Sequence, residues 1–256
     1  MNALARVLPA ILASLILVAA TQAWAIDGNE VLAKVDAVFS APRDGTSKAV
    51  MTLIDRDGSQ KERQLRVWTR YFKDKDDWSI TKFIYPPEVR DLGFLSLADD
   101  KMYLYLPAFD KVRRIASHTR KESFAGSDLS NDDLSTGKYV DHYTAQIKQE
   151  TEGEYVIELT RKPGSDRIYP KATAWVNKQE FYITKMDLFE ESLELWKTYR
   201  AENKKIQGYW TPTEILMKDV RKNHQTILKV EDVKFDVGLQ DDIFSERNLK
   251  RKVKDE

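Results

Sequence analysis

Between residues 47 and 235 the chain is a succession of short apolar or alternating segments separated by turn signals, and it holds a single clear amphipathic helix. That pattern constrains the fold more than any motif does. Strands spaced this closely pair with their sequence neighbours into an antiparallel sheet system. The Asp57-Gly58 pair between residues 47–54 and 61–71 is a hairpin signal. In the second arm Leu65, Val67, Thr69 and Tyr71 alternate with Gln64, Arg66, Trp68 and Arg70. One face is apolar and the other basic, as in a sheet with one wetted side. Residues 78–85 form a further strand that stops at Pro86-Pro87, and residues 94–115 read as a short meander. Paired segments resume at residue 144 and continue to residue 235. The count is about eleven strands. The helix covers residues 28–40, where Val31, Leu32, Val35, Val38 and Phe39 recur at helical spacing. Shorter helical segments are expected at 86–92 and within 122–142. The fold class is therefore mainly β: one curved antiparallel sheet with a few helices on one face. A closed barrel or a two-sheet sandwich is the competing architecture.

Residues 1–25 have the anatomy of a secretory signal peptide. Arg6 is the only charge, residues 7–20 are almost wholly apolar, and Ala23-Trp24-Ala25 is an A-x-A cleavage site. The apolar run is short for a membrane span. The expected organisation is a cleaved leader, 1–25, followed by one domain, 26–256, working outside the inner membrane.

With 41 basic and 41 acidic side chains the formal charge is zero, which argues against a dedicated nucleic-acid binder. The chain has no cysteine, so disulfides, thiolate nucleophiles and cysteine metal sites are excluded. Its three histidines, His118, His142 and His224, lie in separate segments without ligand-like spacing. No G-x-S-x-G, H-E-x-x-H, P-loop or G-x-G-x-x-G string occurs. No residue argues for catalysis, and no cofactor is expected. Residues 116–142 break the strand rhythm, and a loop of that length in a small domain is usually functional or disordered. Phe124, Leu129 and Leu134 suggest that it folds back on the body.

Several strands are apolar on both faces, among them Met102-Tyr103-Leu104-Tyr105-Leu106. One reading is a strand buried on both sides. The other is an apolar cavity, because a single helix covers little of so large a sheet.

Several blocks resemble the outer-membrane lipoprotein-sorting family, the LolA-like periplasmic carriers, and within it the branch associated with RND/MMPL-type exporters. They are Tyr103-Leu-Tyr-Leu-Pro107 with Lys111-Val-Arg-Arg-Ile115, Ser123-Phe-Ala-Gly-Ser-Asp128 with Asp133-Leu134, Tyr169-Pro170 with Trp175-Val176-Asn177, Tyr209-Trp210-x-Pro212, His224-x-Thr226 and Asp242-x-Phe244-Ser245. Together they span nearly the whole chain after the leader. The resemblance implies a strongly curved, incompletely closed antiparallel half-barrel with helices over its open side. It implies a monomeric, non-enzymatic periplasmic carrier that holds the acyl chains of a lipid or lipoprotein, touches membranes transiently and works beside an RND-type exporter. On that reading Val35, Phe39, Leu65, Val67, Ile80, Leu104, Leu106, Trp175 and Ile183 line the cavity. Arg113, Arg114, Phe124, Gly126, Ser127, Asp128 and Asp133 form a partner-facing edge. The alternative is a non-catalytic sensor or interaction module of an exporter complex on the same fold.

Overall fold

An N-terminal helix, α1 (Gly28–Phe39), opens the folded chain, and its start is written locally. Asp27 Oδ1 accepts the Glu30 N–H at 2.8 Å, and Glu30 adds an acidic group to the first turn. The computed structural model describes residues 26–253, so the expected leader at 1–25 lies outside the described residues. After α1 come the strands β1 (Asp44–Ile54), β2 (Gln60–Arg70), β3 (Trp78–Tyr85), β4 (Gly93–Ser96), β5 (Met102–Leu106) and β6 (Lys111–Arg114). A short helix, α2 (Tyr139–His142), precedes β7 (Tyr143–Glu150), β8 (Glu154–Arg161), β9 (Lys171–Asn177) and β10 (Ile183–Phe189). The series ends with β11 (Leu195–Ile206), β12 (Tyr209–Asp219), β13 (His224–Phe235) and a last turn of helix, α3 (Glu246–Leu249).

These thirteen strands form one antiparallel sheet in the order β6-β5-β4-β3-β2-β1-β13-β12-β11-β10-β9-β8-β7. The count exceeds the expected eleven or so, and the meander read at 94–115 is the three short strands β4, β5 and β6. Every adjacent pair is a sequence neighbour except β1 and β13, which pair at the centre from Gly45↔Phe235 to Ile54↔Gln225. β6 and β7 are therefore the free edges, so the sheet is neither a closed barrel nor a sandwich. Residues 86–92 make successive turns rather than a helix, with Val89 N–H bonded to the Pro86 carbonyl and Leu92 N–H to that of Val89.

The concave face carries the main core. Val31, Leu32 and Val35 of α1 pack there against Ala49, Met51, Leu53, Leu65, Ile157, Leu159, Ala174 and Val176. α1 also protects the β7 edge: Asn29 Oδ1 accepts the Ala145 N–H at 2.8 Å. Gly28 permits this approach, because a Cβ there would lie 2.5 Å from the Ala145 carbonyl oxygen. A second, smaller core sits on the convex face, where Phe244 and Leu249 cover Ile80, Leu95 and Tyr105. Lys82 reaches from β3 to the C-terminal carbonyls of α3, donating to Asn248 O at 2.7 Å and to Arg251 O. Burial pushes its ammonium down to about 8, with Arg251 acting in the same direction and Asp91 against it.

The segment from 115 to 138 joins the two sheet edges and must cross the open side of the half-barrel. It is a strap across the concave face. Ser123 and Ser130 form a bridge, and Phe124 N–H bonds to the Leu129 carbonyl at 2.7 Å. The tip turns at Ala125 and Gly126, both at positive φ, where Arg63 donates to the Ala125 carbonyl. Phe124 points inward, its ring 5.3 Å from that of Phe83 and 5.7 Å from that of Phe94. Beyond it Arg120, only 2% exposed, binds Asp132 at 2.6 Å and Asp99 at 2.8 Å. Arg167 lies 3.2 Å from the same Asp99 and bonds to the carbonyls of Asp132 and Gly137. Asp132 is nearly as buried as Arg120; burial raises its carboxyl, while Arg167 and Arg120 oppose that rise.

Two outcomes follow from these contacts. Arg120→Met leaves Asp132 and Asp99 short of a buried partner and should cost about 3–5 kcal/mol in urea unfolding. Arg114→Met, which removes an exposed pair, should cost less than about 1 kcal/mol in the same experiment. For Lys82 the folded state holds its proton less tightly than the unfolded chain, whose ordinary value is near 10.5. Between pH 8 and 10 the unfolded state binds the extra proton, so stability rises with pH. The stability difference between the native chain and Lys82→Met should therefore grow over that interval, as read from denaturation midpoints at each pH.

Candidate functional site

Between the concave face, α1 and the strap lies a cavity of about 510 Å³. Its walls are mostly apolar and come from alternate residues of the strands. β2 gives Val67 and Thr69, with Tyr71 just beyond it, and β9 and β10 give Ala172, Ile183, Met186 and Leu188. β11 gives Tyr199, β12 gives Ile215 and Met217, and β13 gives Leu228, Val230 and Phe235. Phe39 closes it from α1, and Leu129, Leu134 and Tyr139 close it from the strap side. Burial pushes the phenols of Tyr71, Tyr139 and Tyr199 up, that of Tyr139 to about 12. All three present neutral hydroxyls to the space.

The charged groups around the cavity are bonded to the protein. Lys138 Nζ lies 2.7 Å from Asp77 Oδ1 and also bonds to Ser40, whose hydroxyl donates to Asp77 Oδ2 at 2.8 Å. Burial raises the Asp77 carboxyl, and its bond from Lys138 opposes the rise. Asp36, on the inner side of α1, accepts the N–H groups of Tyr139 and Val140 at 3.0 and 2.9 Å and so caps α2. Its carboxyl is likewise raised by burial. Asp133 accepts from Tyr169, Ser130 and Lys197. These bonds join α1, the strap and the sheet. The carboxylates of the lining thus already hold partners within the protein. Among the described residues no group of three or more His, Asp or Glu is placed to hold a metal ion.

Of the nine residues expected in the cavity, Phe39, Val67 and Ile183 line it. Val35 and Leu65 are buried in the adjoining core, and Leu104 packs against that core. Leu106 is half-buried on β5 and is not part of the wall. Ile80 and Trp175 require correction, because both lie on the convex face. Ile80 sits under the C-terminal segment, which makes that face apolar at this end of the sheet. In β9 the small residues Ala172 and Ala174 turn inward, and the Trp175 indole turns outward beneath the Lys185 ammonium at 3.8 Å.

The expected partner-facing edge divides in the same way. Arg113 and Arg114 are exposed, near Glu122 and Asp100 at 3.9 and 3.7 Å. Gly126 is exposed at the strap tip. Phe124, Ser127 and Asp128 are buried, and Asp133 faces inward, so these four fasten the strap rather than present a surface. Asp128 Oδ2 contacts His224 Nδ1 at 2.6 Å and the Thr226 hydroxyl at 2.7 Å, tying the strap to β13. The sequence reading missed Met186, Leu188, Leu228 and Val230. Their signal was present in the alternation with Lys185, Asp187, Lys229 and Glu231.

Comparison with known proteins agrees with this architecture. A family model described as an uncharacterized protein matches residues 75–251. A solved DUF1329 family protein from Desulfovibrio piger is 30% identical, with a TM-score of 0.80, over 87% of this chain and 97% of that one. A domain named for outer membrane lipoprotein sorting, from Vibrio parahaemolyticus, is 24% identical with a TM-score of 0.80 over 88% and 98% of the two chains. A LolA superfamily protein from Nitrosomonas europaea is 22% identical with a TM-score of 0.72 over 88% and 100%. No match is found among curated proteins. The two lower identities establish a shared fold, the incompletely closed LolA-like half-barrel. The match over most of the chain and the 30% identical relative place the protein by descent: it belongs to the DUF1329 family.

Proposed function

We propose that this protein is a periplasmic carrier that takes acyl chains of a lipid or lipoprotein into the cavity under the strap and passes them between envelope components. The observation that carries the reading is the cavity itself: about 510 Å³ with a mostly apolar wall, in the size range of small-molecule sites. The names of two fold relatives, lipoprotein sorting and the LolA superfamily, point the same way. The secretory leader read at residues 1–25 supplies the compartment, and residues 26–256 then act as a single domain.

The work is physical. Each methylene moved from water into an apolar site contributes about 0.8 kcal/mol. A dozen of them offset most of the cost of leaving a bilayer, so loading needs no nucleotide. Unloading needs a receptor or acceptor that binds the chain more tightly. An RND-type exporter is the partner we propose, with the exposed Arg113 and Arg114 beside the strap as the docking charges.

Protein purified gently from the periplasm should carry stoichiometric lipid in native mass spectrometry, and extraction should name its class. A clean apo mass, unchanged after incubation with envelope lipids, would sink the carrier reading in favour of a partner-binding module. Met186→Trp, which fills the cavity from β10, should lower the bound lipid at least tenfold while the protein still melts cooperatively. Replacing Arg113 and Arg114 together by alanine should weaken delivery without lowering the melting temperature by more than a few degrees, and unchanged delivery removes these two residues from the docking surface.

A further inference from the structure

The size of the cavity and the state of its polar groups define the cargo more narrowly, on the assumption that the carrier reading holds. We infer that the cavity takes one acyl chain, of up to about twenty carbons, tail first, and leaves the head group outside. An apolar cavity of ~150 Å³ accommodates a six-carbon ring, or ~25 Å³ per carbon. At that packing 510 Å³ holds about twenty carbons. One long chain fills it, and the second chain of a diacyl lipid has no room.

The polar groups of the wall exclude the opposite orientation. Asp36, Asp77, Asp132 and Asp133 face the space, and all four are bonded within the protein: Asp36 to the Tyr139 and Val140 N–H groups, Asp77 to Lys138, Asp132 to Arg120 and Arg167, and Asp133 to Lys197 and Tyr169. An anionic head group would find the nearby cations Arg120, Lys138, Arg167 and Lys197 already held by these carboxylates. A zwitterionic one would lose its water without gaining partners. Half-buried lining residues gathered at one end of the sheet mark the mouth. Phe39 at the end of α1, Tyr71 after β2, Trp210 and Pro212 at the start of β12 and Val230 on β13 are all partly exposed. These points adjoin in the sheet, where Gly45 is paired with both Phe235 and Thr69. Leu159, Ala172 and Leu188 line the same space fully buried, so the tail runs inward from that rim.

The test uses delipidated protein and native mass spectrometry with three probes: palmitate, 1-palmitoyl lysophosphatidylcholine and dipalmitoyl phosphatidylcholine. A series of saturated fatty acids from ten to twenty-two carbons is added. The two single-chain probes should bind one per protein, and the diacyl lipid should show at least tenfold lower occupancy. Affinity along the series should rise about fourfold per methylene up to about twenty carbons and then level off. In Leu188→Trp, at the buried end, the plateau should move to a shorter chain. Equal occupancy by the diacyl lipid, two fatty acids per protein, or a plateau that ignores Leu188→Trp overturns the one-chain assignment while leaving a lipid carrier. Failure of every probe to bind overturns the carrier reading instead.

Discussion

One connection governs this fold. β6 and β7 are the opposite free edges of the sheet, and the same chain runs from the first to the second. The connection crosses the concave side and roofs the space beneath it. A crossing of that length brings peptide groups away from water, and each needs a partner. Charged and polar side chains meet that demand here. Arg120 donates to the Asp99 carbonyl, Asn131 to the Thr119 carbonyl, and Arg167 to those of Asp132 and Gly137, while Asp132 accepts the Ile168 N–H. A buried ion cluster is a poor source of net stability, since desolvation cancels much of its attraction. Its value is geometric, because two guanidinium groups and two carboxylates fit together in one arrangement.

That arrangement explains how an apolar space persists inside a protein. Apolar side chains normally close such a gap by repacking, because interiors approach crystalline density. Here the roof is held by bonded charges, and moving it inward would strip Arg120 from Asp99, Asp132 from Arg167 or Lys138 from Asp77. The floor is held by the sheet ladder, whose curvature is shared over thirteen strands. Neither surface can approach the other cheaply, so the space between them remains for a ligand.

The legible part of the fold was its local part. Period-two alternation gave the faces of β2 correctly, because Leu65 and Val67 alternate with Gln64 and Arg66. It failed where both parities are apolar. The orientation of Ile80 is set by the C-terminal segment that covers it from far along the chain, whereas Trp175 shares the polar parity of Lys171, Thr173 and Asn177, so the alternation itself turns it outward. The central pairing of β1 with β13 is likewise non-local, and without it the edges of the sheet cannot be named. The strap misled for a third reason. Its composition is polar, which reads as surface, yet Ser127, Asp128 and Asp132 spend that polarity on bonds inside the protein.

The same division bears on how cargo would leave a carrier of this shape. Two exits exist in principle, through the roof or past the rim. Opening the roof separates the 2%-exposed Arg120 from Asp99, and Asp132 from Arg167, and leaves charges uncompensated in a poorly hydrated space. Passing the rim asks only that partly exposed rings such as Phe39 and Trp210 change rotamer, on a surface already half wetted. The second route crosses the lower barrier. A receptor that accepts an acyl chain then needs to meet the rim formed by the start of β1 and β12 and the ends of β2 and β13. The strap can stay fastened throughout, and the charges that build the cavity need not take part in emptying it.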